Sequence, residues 1–116
     1  MPGKVARGMV ADVNLDPIPG QQIQKKRPFV VVQNDNSNKN SVATIVAVLE
    51  SAEQIHKPPP MWVFVPKGDG GIGKDSYVLC DQICFIDEVR LGEIYGQLSK
   101  TTMDKVDQAL RMSLGL

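Results

Sequence analysis

Three cations stand directly before a run of apolar residues in the segment QKKRPFVVVQND, residues 24–35. The Val-rich run after Pro28 predicts a strand buried on both faces, and a proline fits at the start of such a strand. Because Arg27 abuts this strand, its side chain has a fixed place, and a fixed guanidinium can hold a phosphate through two hydrogen bonds. Lys25 and Lys26 could attract the same anion, or could only protect an edge strand from aggregation. The segment therefore indicates an anion site at Arg27.

A second segment, GDGGIGKD, is close to a phosphate-binding P-loop, with Gly68 and then Gly73 and Lys74 at the required spacing. A P-loop continues with Ser or Thr, which holds magnesium, and it opens a helix whose N-terminus receives the phosphate. Here Asp75 follows instead, and the next residues favour a strand. We therefore interpret the segment as a hairpin loop and not as a nucleotide site.

One histidine and two aromatic residues are weaker candidates for chemistry. His56 could act as a general base near neutral pH, but no orienting carboxylate stands beside it, so we expect it to be exposed to solvent. Trp62 and Phe64 alternate along a short predicted strand and could stack on nucleobases. Packing in the core or in a dimer interface is the better interpretation of these two rings.

The two cysteines favour a structural role. Cys80 and Cys84 would lie on one face of a strand, but about 13 Å apart at roughly 3.3 Å per residue. Disulfide geometry requires Cα atoms within about 7 Å. We expect both thiols to be reduced, and with a single histidine in the chain we expect no metal site.

The composition excludes binding of nucleic acid by bulk charge. The 116 residues carry 13 Lys and Arg against 13 Asp and Glu, so a phosphate must be met by a local patch. The length allows a single domain, residues 1–116, with a core of its own. No segment approaches the roughly 20 apolar residues of a membrane span, and no apolar signal-peptide core is found. We therefore expect a cytoplasmic protein with no membrane partner.

The periodicity predicts several short strands followed by one helix. The predicted strands cover residues 8–15, 27–34, 42–50, 61–65, 76–86 and 92–98, and the polar segment 35–41 reads as a turn. Near the C-terminus, Met103, Val106, Leu110 and Leu114 recur at helical spacing, with Ser99 as N-cap and Gly115 as the C-terminal glycine. This pattern predicts a mostly β fold with a C-terminal helix (α+β), built as a small, strongly bent sheet or barrel.

Four segments together resemble the MazF/PemK (Kid-like) toxins of type II toxin–antitoxin systems. They are RGMVADVNLDP, KKRPFVVVQND, KDSYVLCDQI and MDKVDQALRMSLGL, in order and at fitting spacings from Arg7 to Leu116. The resemblance implies a small SH3-like, CcdB-like β-barrel with a C-terminal helix, working as a homodimer. It also implies a cognate MazE/PemI-like antitoxin, whose disordered C-terminal segment folds across the active site.

The activity that the resemblance implies is sequence-specific cleavage of single-stranded RNA, such as mRNA, without a metal or cofactor. In this chemistry the ribose 2′-hydroxyl attacks the adjacent phosphate, leaving a cyclic phosphate and a 5′-hydroxyl. Arg27 corresponds to the family's catalytic arginine and would stabilise the charge that builds on the phosphoryl oxygens. The residues expected to bind RNA are Gln22, Lys25, Lys26, Asn34 and Gln82.

The chain departs from the family pattern at three positions around this site. Glu50 stands where the family's second catalytic residue, a Thr or Ser, is expected, and Ser51 follows it. We expect Glu50 either to pair with Arg27 or to act as general base, and Ser51 to supply a hydroxyl if the strand bulges. Gln22 replaces an acidic loop residue, and Cys84 replaces an RNA-facing arginine.

These departures leave two alternatives to an active nuclease. The first is a weakened paralogue that binds RNA or antitoxin without cutting. The second is a gyrase inhibitor resembling the CcdB toxins, which share the fold but carry a C-terminal Trp-Gly-Ile tail. This chain ends Leu114, Gly115, Leu116, without the Trp, which favours the nuclease branch.

Overall fold

Six strands form one antiparallel sheet in the computed structural model, which describes residues 5–14 and 26–116. The strands are β1 Met9–Asn14, β2 Lys26–Val31, β3 Ala43–Ser51, β4 Trp62–Val65, β5 Ser76–Asp87 and β6 Leu91–Gln97. Helix α1, Asp35–Asn40, lies between β2 and β3, and helix α2, Lys100–Leu114, follows β6. The predicted mostly β fold with a C-terminal helix is confirmed.

The sheet order is β4-β5-β3-β2-β1-β6, and every neighbouring pair is antiparallel. Within the described residues the sheet is not closed into a barrel, since β4 and β6 remain its edges. Each predicted strand is present, with bounds shifted by three residues at most. No helix in the described ranges is long and apolar enough to span a membrane.

The central strands are buried on both faces, as the Val-rich run of β2 predicts. Val30 packs with Val10 in a cluster that also receives helix α2. Its neighbours Phe29 and Val31 point to the other face and pack with Val13 in a second cluster. Successive side chains of a strand point to opposite faces, so a continuous apolar run is what a strand between two clusters requires.

Helix α2 begins and ends where the sequence predicts. The Ser99 side chain accepts a hydrogen bond from the Thr102 backbone N–H, and Gly115 ends the helix in the left-handed conformation. Met103 and Val106 are buried on the predicted apolar face, whereas Leu114 is exposed. The predicted apolar face is therefore buried along most of the helix and is exposed in its last turn.

The segment 35–41, predicted to be a turn, instead contains helix α1. The Asn34 side chain caps this helix by accepting from the Ser37 backbone N–H at 2.8 Å. Asn38 is fully buried, donates to the Gln33 carbonyl and accepts from the Thr44 hydroxyl. Asn and Ser favour turns because their side chains bond to nearby backbone groups, and the same property lets them cap a short helix.

The segment between β4 and β5 is a hairpin connection, as predicted, and it is tied to the end of β6. Its Asp69 carboxylate accepts hydrogen bonds from the Ser99 N–H at 2.8 Å and from the Thr102 hydroxyl at 2.5 Å. Gly71 has a φ of +79°, and a Cβ there would collide with the Tyr95 carbonyl oxygen. The hairpin loop therefore has a fixed position against β6 and the start of α2.

Both cysteines are free thiols, as predicted, but they occupy different environments. Cys80 is buried, and this burial raises the pKa of its thiol to about 11. Cys84 is exposed. In β5, Leu79 pairs with Val48 and Ile83 pairs with Ala47. Three β5 residues therefore lie between two partners that are adjacent in β3. The expectation that Cys80 and Cys84 lie on one face assumed regular strand alternation, and this irregularity interrupts that alternation.

Candidate functional site

Arg27 lies at the start of β2 and is ion-paired with Glu50 on the neighbouring strand β3. The β2–β3 register pairs Phe29 with Val48. Continuing this register by two residues sets Arg27 opposite Glu50, because residue numbers increase along one antiparallel strand as they decrease along the other. The Arg27 side chain remains 48% exposed and the Glu50 side chain 36%, so solvent and a ligand can reach both.

A pocket of about 270 Å³ opens beside this pair. Pro28, Leu49 and Ile72 contribute apolar lining, and the last two are almost fully buried. Arg27 and Lys74 contribute cations to the same pocket. Glu50 contributes a carboxylate that is paired with Arg27. The pocket thus combines an apolar floor with charged groups, and it suits a ligand with a phosphate and an apolar ring once the phosphate replaces Glu50 at Arg27.

Lys74 is a site residue that the sequence analysis assigned only to the rejected P-loop. Its ammonium nitrogen lies 3.0 Å from a Glu53 carboxylate oxygen, and both side chains are about two-thirds exposed. The position of Lys74 depends on the hairpin loop being held against β6. A near-match to a P-loop was the one sequence signal at this position, and it pointed to a different geometry.

Tyr95 is a second pocket residue that sequence reasoning missed. Its hydroxyl donates to the Asp12 carboxylate at 2.7 Å. This hydrogen bond, together with burial and nearby negative charge, raises the pKa of Tyr95 to about 12. The phenol is therefore neutral at physiological pH. Asp12 pairs with Pro28 across β1 and β2, which places the Tyr95–Asp12 contact next to Arg27. The segment GEIYGQL predicted a strand and carried no sign of this contact.

Ser51 also lines the pocket, at the end of β3. It pairs with Ser76 in β5 and its hydroxyl oxygen accepts from the Glu53 backbone N–H at 3.3 Å, capping a short 3₁₀ turn at Ala52–Gln54. Because β3 ends here, Glu50 and Ser51 both border the pocket despite being adjacent in sequence.

The residues predicted to bind RNA are distributed over a wider area. Asn34 caps α1 beyond the far end of β2, and Gln82 is exposed on β5; neither is among the described lining residues of the Arg27 pocket. Lys26 is the first residue of β2, and its backbone pairs with Asn14. Gln22 and Lys25 lie outside the described residues.

The weaker candidates of the sequence analysis are not among the described lining residues of the Arg27 pocket. His56 is exposed in the loop before β4, as expected. Trp62 is half-buried and donates its indole N–H to Asp81 at 2.9 Å, and Phe64 meets Tyr77 edge to face. Among the described residues, no group of three or more His, Cys, Asp or Glu side chains is arranged to hold a metal ion.

Comparisons with known proteins agree with the fold. Residues 6–114 match the family described as the PemK-like, MazF-like toxin of type II toxin–antitoxin systems. An endoribonuclease from a mycobacterial species, in complex with its cognate antitoxin, is similar in structure with a TM-score of 0.79. The two sequences are 26% identical, and the match covers 97% of this chain and 96% of the other.

A second mycobacterial endoribonuclease has a TM-score of 0.76 at 26% identity, with 97% of this chain and 92% of the other covered. MazF from Deinococcus radiodurans has a TM-score of 0.73 at 21% identity, with 97% of each chain covered. At that identity the likeness concerns the fold alone.

Proposed function

The chain belongs to the family of PemK-like, MazF-like toxins of type II toxin–antitoxin systems, and on this premise we propose that it is an endoribonuclease that cleaves single-stranded RNA with Arg27 as a catalytic residue. The observation that carries the proposal is the pocket beside Arg27, where a strand-fixed guanidinium borders an apolar cavity large enough for part of a nucleotide. The activity of the two mycobacterial relatives at 26% identity supports it.

In the proposed reaction the ribose 2′-hydroxyl attacks the adjacent phosphorus. The bond to the 5′-oxygen breaks, and this oxygen takes a proton from water, so that the products are a 2′,3′-cyclic phosphate and a 5′-hydroxyl end. Negative charge builds on the non-bridging oxygens as the new bond forms, and the Arg27 guanidinium stabilises it with two hydrogen bonds. This route takes its nucleophile from the RNA itself and needs no metal ion or cofactor.

Glu50 has to leave Arg27 before a phosphate can bind there. An exposed ion pair is worth about 0–1 kcal/mol, so a phosphate that makes two charged hydrogen bonds can displace the carboxylate. Once displaced, Glu50 is a suitable base for the proton of the 2′-hydroxyl. Ser51, at the same strand end, can donate a hydrogen bond to a phosphoryl oxygen. Arg27, Glu50 and Ser51 are therefore the proposed catalytic residues.

We also infer the partners and surroundings of the toxin from its family. We propose a homodimer in the cytoplasm that is neutralised by a MazE/PemI-like antitoxin, and the antitoxin-bound relative supports the antitoxin partner. Exposed apolar side chains at Val42, Phe85 and Val89 provide surface that a second protein chain could cover. Gln22, Lys25, Lys26, Asn34 and Gln82 are further proposed contacts to RNA, and they would contribute to sequence specificity.

The test is cleavage of a long single-stranded RNA in EDTA, with mapping of the new ends. The wild type should cut at a recurrent short sequence and leave cyclic phosphate ends. Arg27→Ala should lower the rate at least 100-fold, the scale of removing one transition-state hydrogen-bond donor. Arg111→Ala, which removes an exposed arginine of α2, is the matched control and should cut like the wild type. Intact RNA with the wild type would overturn the proposal.

One observation favours the weakened paralogue as a second candidate. The Arg27 guanidinium is occupied by Glu50, and this carboxylate repels a phosphate. A protein of this kind would bind RNA or antitoxin without turnover. Tight RNA binding by the wild type, weakened by Arg27→Ala but with no new RNA ends, would identify it.

A further inference from the structure

The Arg27 pocket has two chemically distinct parts. Pro28, Leu49 and Ile72 give it apolar lining, whereas Arg27 and Lys74 give it positive charge. Such a pocket is unsuited to a phosphate alone, because the apolar surface would be left without a partner. An apolar molecule alone would leave both cations with their carboxylate partners, Glu50 and Glu53, and would make no use of them.

Tyr95 is the one aromatic side chain among the described lining residues of this pocket. Its hydroxyl is engaged by Asp12 at 2.7 Å, so this end of the side chain is tethered. Its backbone is held as well, because Gly71 packs directly against the Tyr95 carbonyl. The residue is nevertheless 37% exposed. Because its hydroxyl and its backbone are both held, Tyr95 has a fixed position at the pocket and is still partly accessible to a ligand.

From these contacts we propose that the pocket takes one unpaired nucleobase of the RNA, stacked on Tyr95, while the adjoining phosphate lies at Arg27. This inference rests on the proposed function and specifies how the substrate is held. Stacking on aromatic side chains is the general means by which proteins hold bases of single-stranded nucleic acid. Tyr95 would act by binding and orienting the nucleotide, so that its phosphate stays in reach of the guanidinium.

The ring of Tyr95, and not its hydroxyl, carries this role. The phenolic proton is already donated to Asp12, and the raised pKa keeps the phenol neutral. Replacing Tyr95 by Phe removes the hydroxyl but keeps the stacking surface. Replacing it by Leu keeps an apolar side chain but removes the aromatic face. These two variants therefore separate stacking from hydrogen bonding.

The experiment uses the RNA sequence found by end mapping, made as a short oligonucleotide with a 2′-deoxy sugar at the cut so that it cannot react. The fluorescent base 2-aminopurine replaces one base at a time around the cut, since its emission is quenched when it stacks. The wild type should quench one position strongly. Tyr95→Leu should abolish that quenching and weaken binding roughly 5- to 150-fold, the range expected for one stacked base.

The controls decide between the possible outcomes. Tyr95→Phe should keep the quenching and bind within about threefold of the wild type. Phe64→Leu removes an exposed aromatic ring outside the pocket and should change neither signal. Circular dichroism melting establishes that each variant is folded. Equal losses in Tyr95→Phe and Tyr95→Leu would overturn the stacking role.

The failure of this inference differs from the failure of the proposed function. A wild type that cuts and binds RNA but quenches no position near the cut overturns the nucleobase site alone, and this result does not depend on any variant folding. A wild type that neither cuts nor binds overturns both.

Discussion

Arg27 and Glu50 meet as a cross-strand pair whose exposure determines what the pair can do. At 48% and 36% exposure of their side chains, solvent screens the attraction between them. The pair therefore stabilises the fold by about 0–1 kcal/mol at most. The pair thus contributes little to the stability of the sheet. Its larger effect is on ligand binding, because an incoming phosphate competes with Glu50 for the Arg27 guanidinium.

Glu50→Gln should separate the two effects of this carboxylate. Loss of its charge removes a competitor for Arg27 and a repulsive group, so KM for RNA should fall about two- to fivefold, on the scale of an exposed ion pair. Loss of a general base should lower kcat by about 100-fold. Steady-state kinetics on the mapped RNA sequence give both values. A higher kcat in Glu50→Gln would show that Glu50 only obstructs the site.

Lys74 should contribute to binding through charge. Lys74→Ala removes one cation from the pocket, so KM should rise several-fold and the dependence of log Kd on log salt should weaken by about 0.7, the value for one phosphate contact on a single strand. Binding titrations at several salt concentrations measure this slope. Lys67→Ala, in the same loop but outside the described pocket lining, is the control. The same slope in both variants would remove Lys74 from the site.

At the scale of elements, the hairpin loop between β4 and β5 depends on Asp69. Its carboxylate bonds to Ser99 and Thr102 at the start of α2, and it thereby holds the loop that carries Lys74. The loop and the helix N-terminus are thus connected through one side chain, and Gly71 of the same loop packs against β6. The site owes part of its geometry to a residue that does not line it.

Asp69→Ala should lower the free energy of unfolding by about 1–3 kcal/mol, because several charge-assisted hydrogen bonds lose their acceptor. Urea denaturation measures the loss. Asp104→Ala is the matched control: it removes an exposed carboxylate paired with Lys100 on α2, and should cost under about 1 kcal/mol. A similar loss in both variants would contradict an anchoring role for Asp69.

At the scale of the whole molecule, two acidic residues make the fold sensitive to acid. Burial alone would raise the pKa of Asp69, but hydrogen bonds from Thr102 and Ser99 outweigh it and lower the pKa below 3.8. The Arg7 backbone N–H, bonded to the carboxylate at 2.7 Å, is the main cause that lowers the pKa of Asp35. Both carboxylates therefore hold their protons less tightly in the folded state than in the unfolded one.

The free energy of unfolding should accordingly be constant between about pH 5 and 7 and decrease as the pH falls through 3.8 and below, where the unfolded chain takes up protons first. Urea denaturation between pH 2.5 and 7 follows this decrease. In Asp69→Ala the decrease should be shallower, since one of the two responsible groups is gone. An equally steep decrease would assign the acid sensitivity to other groups.

Local patterns were enough to predict the elements. The Val run after Pro28 fixed a strand buried on both faces, and Ser99 and Gly115 marked the ends of α2, because strand alternation and helix capping depend on residues close in sequence. The segment 35–41 was mispredicted because Asn and Ser serve turns and short helices equally. Its helical outcome depends on the buried contact between Asn38 and Thr44, which belongs to the tertiary structure.

The sequence by itself determined the strand that carries Arg27. Through the resemblance it also indicated the family and the expectation that Glu50 lies near that arginine. Only the tertiary structure decided that Lys74 and Tyr95 join them in one pocket. The physical reason is that β6 pairs with β1, and the hairpin loop packs its glycines against β6, so residues far apart in the chain become neighbours. Such non-local pairing follows from the packing of the whole sheet, and no short segment encodes it.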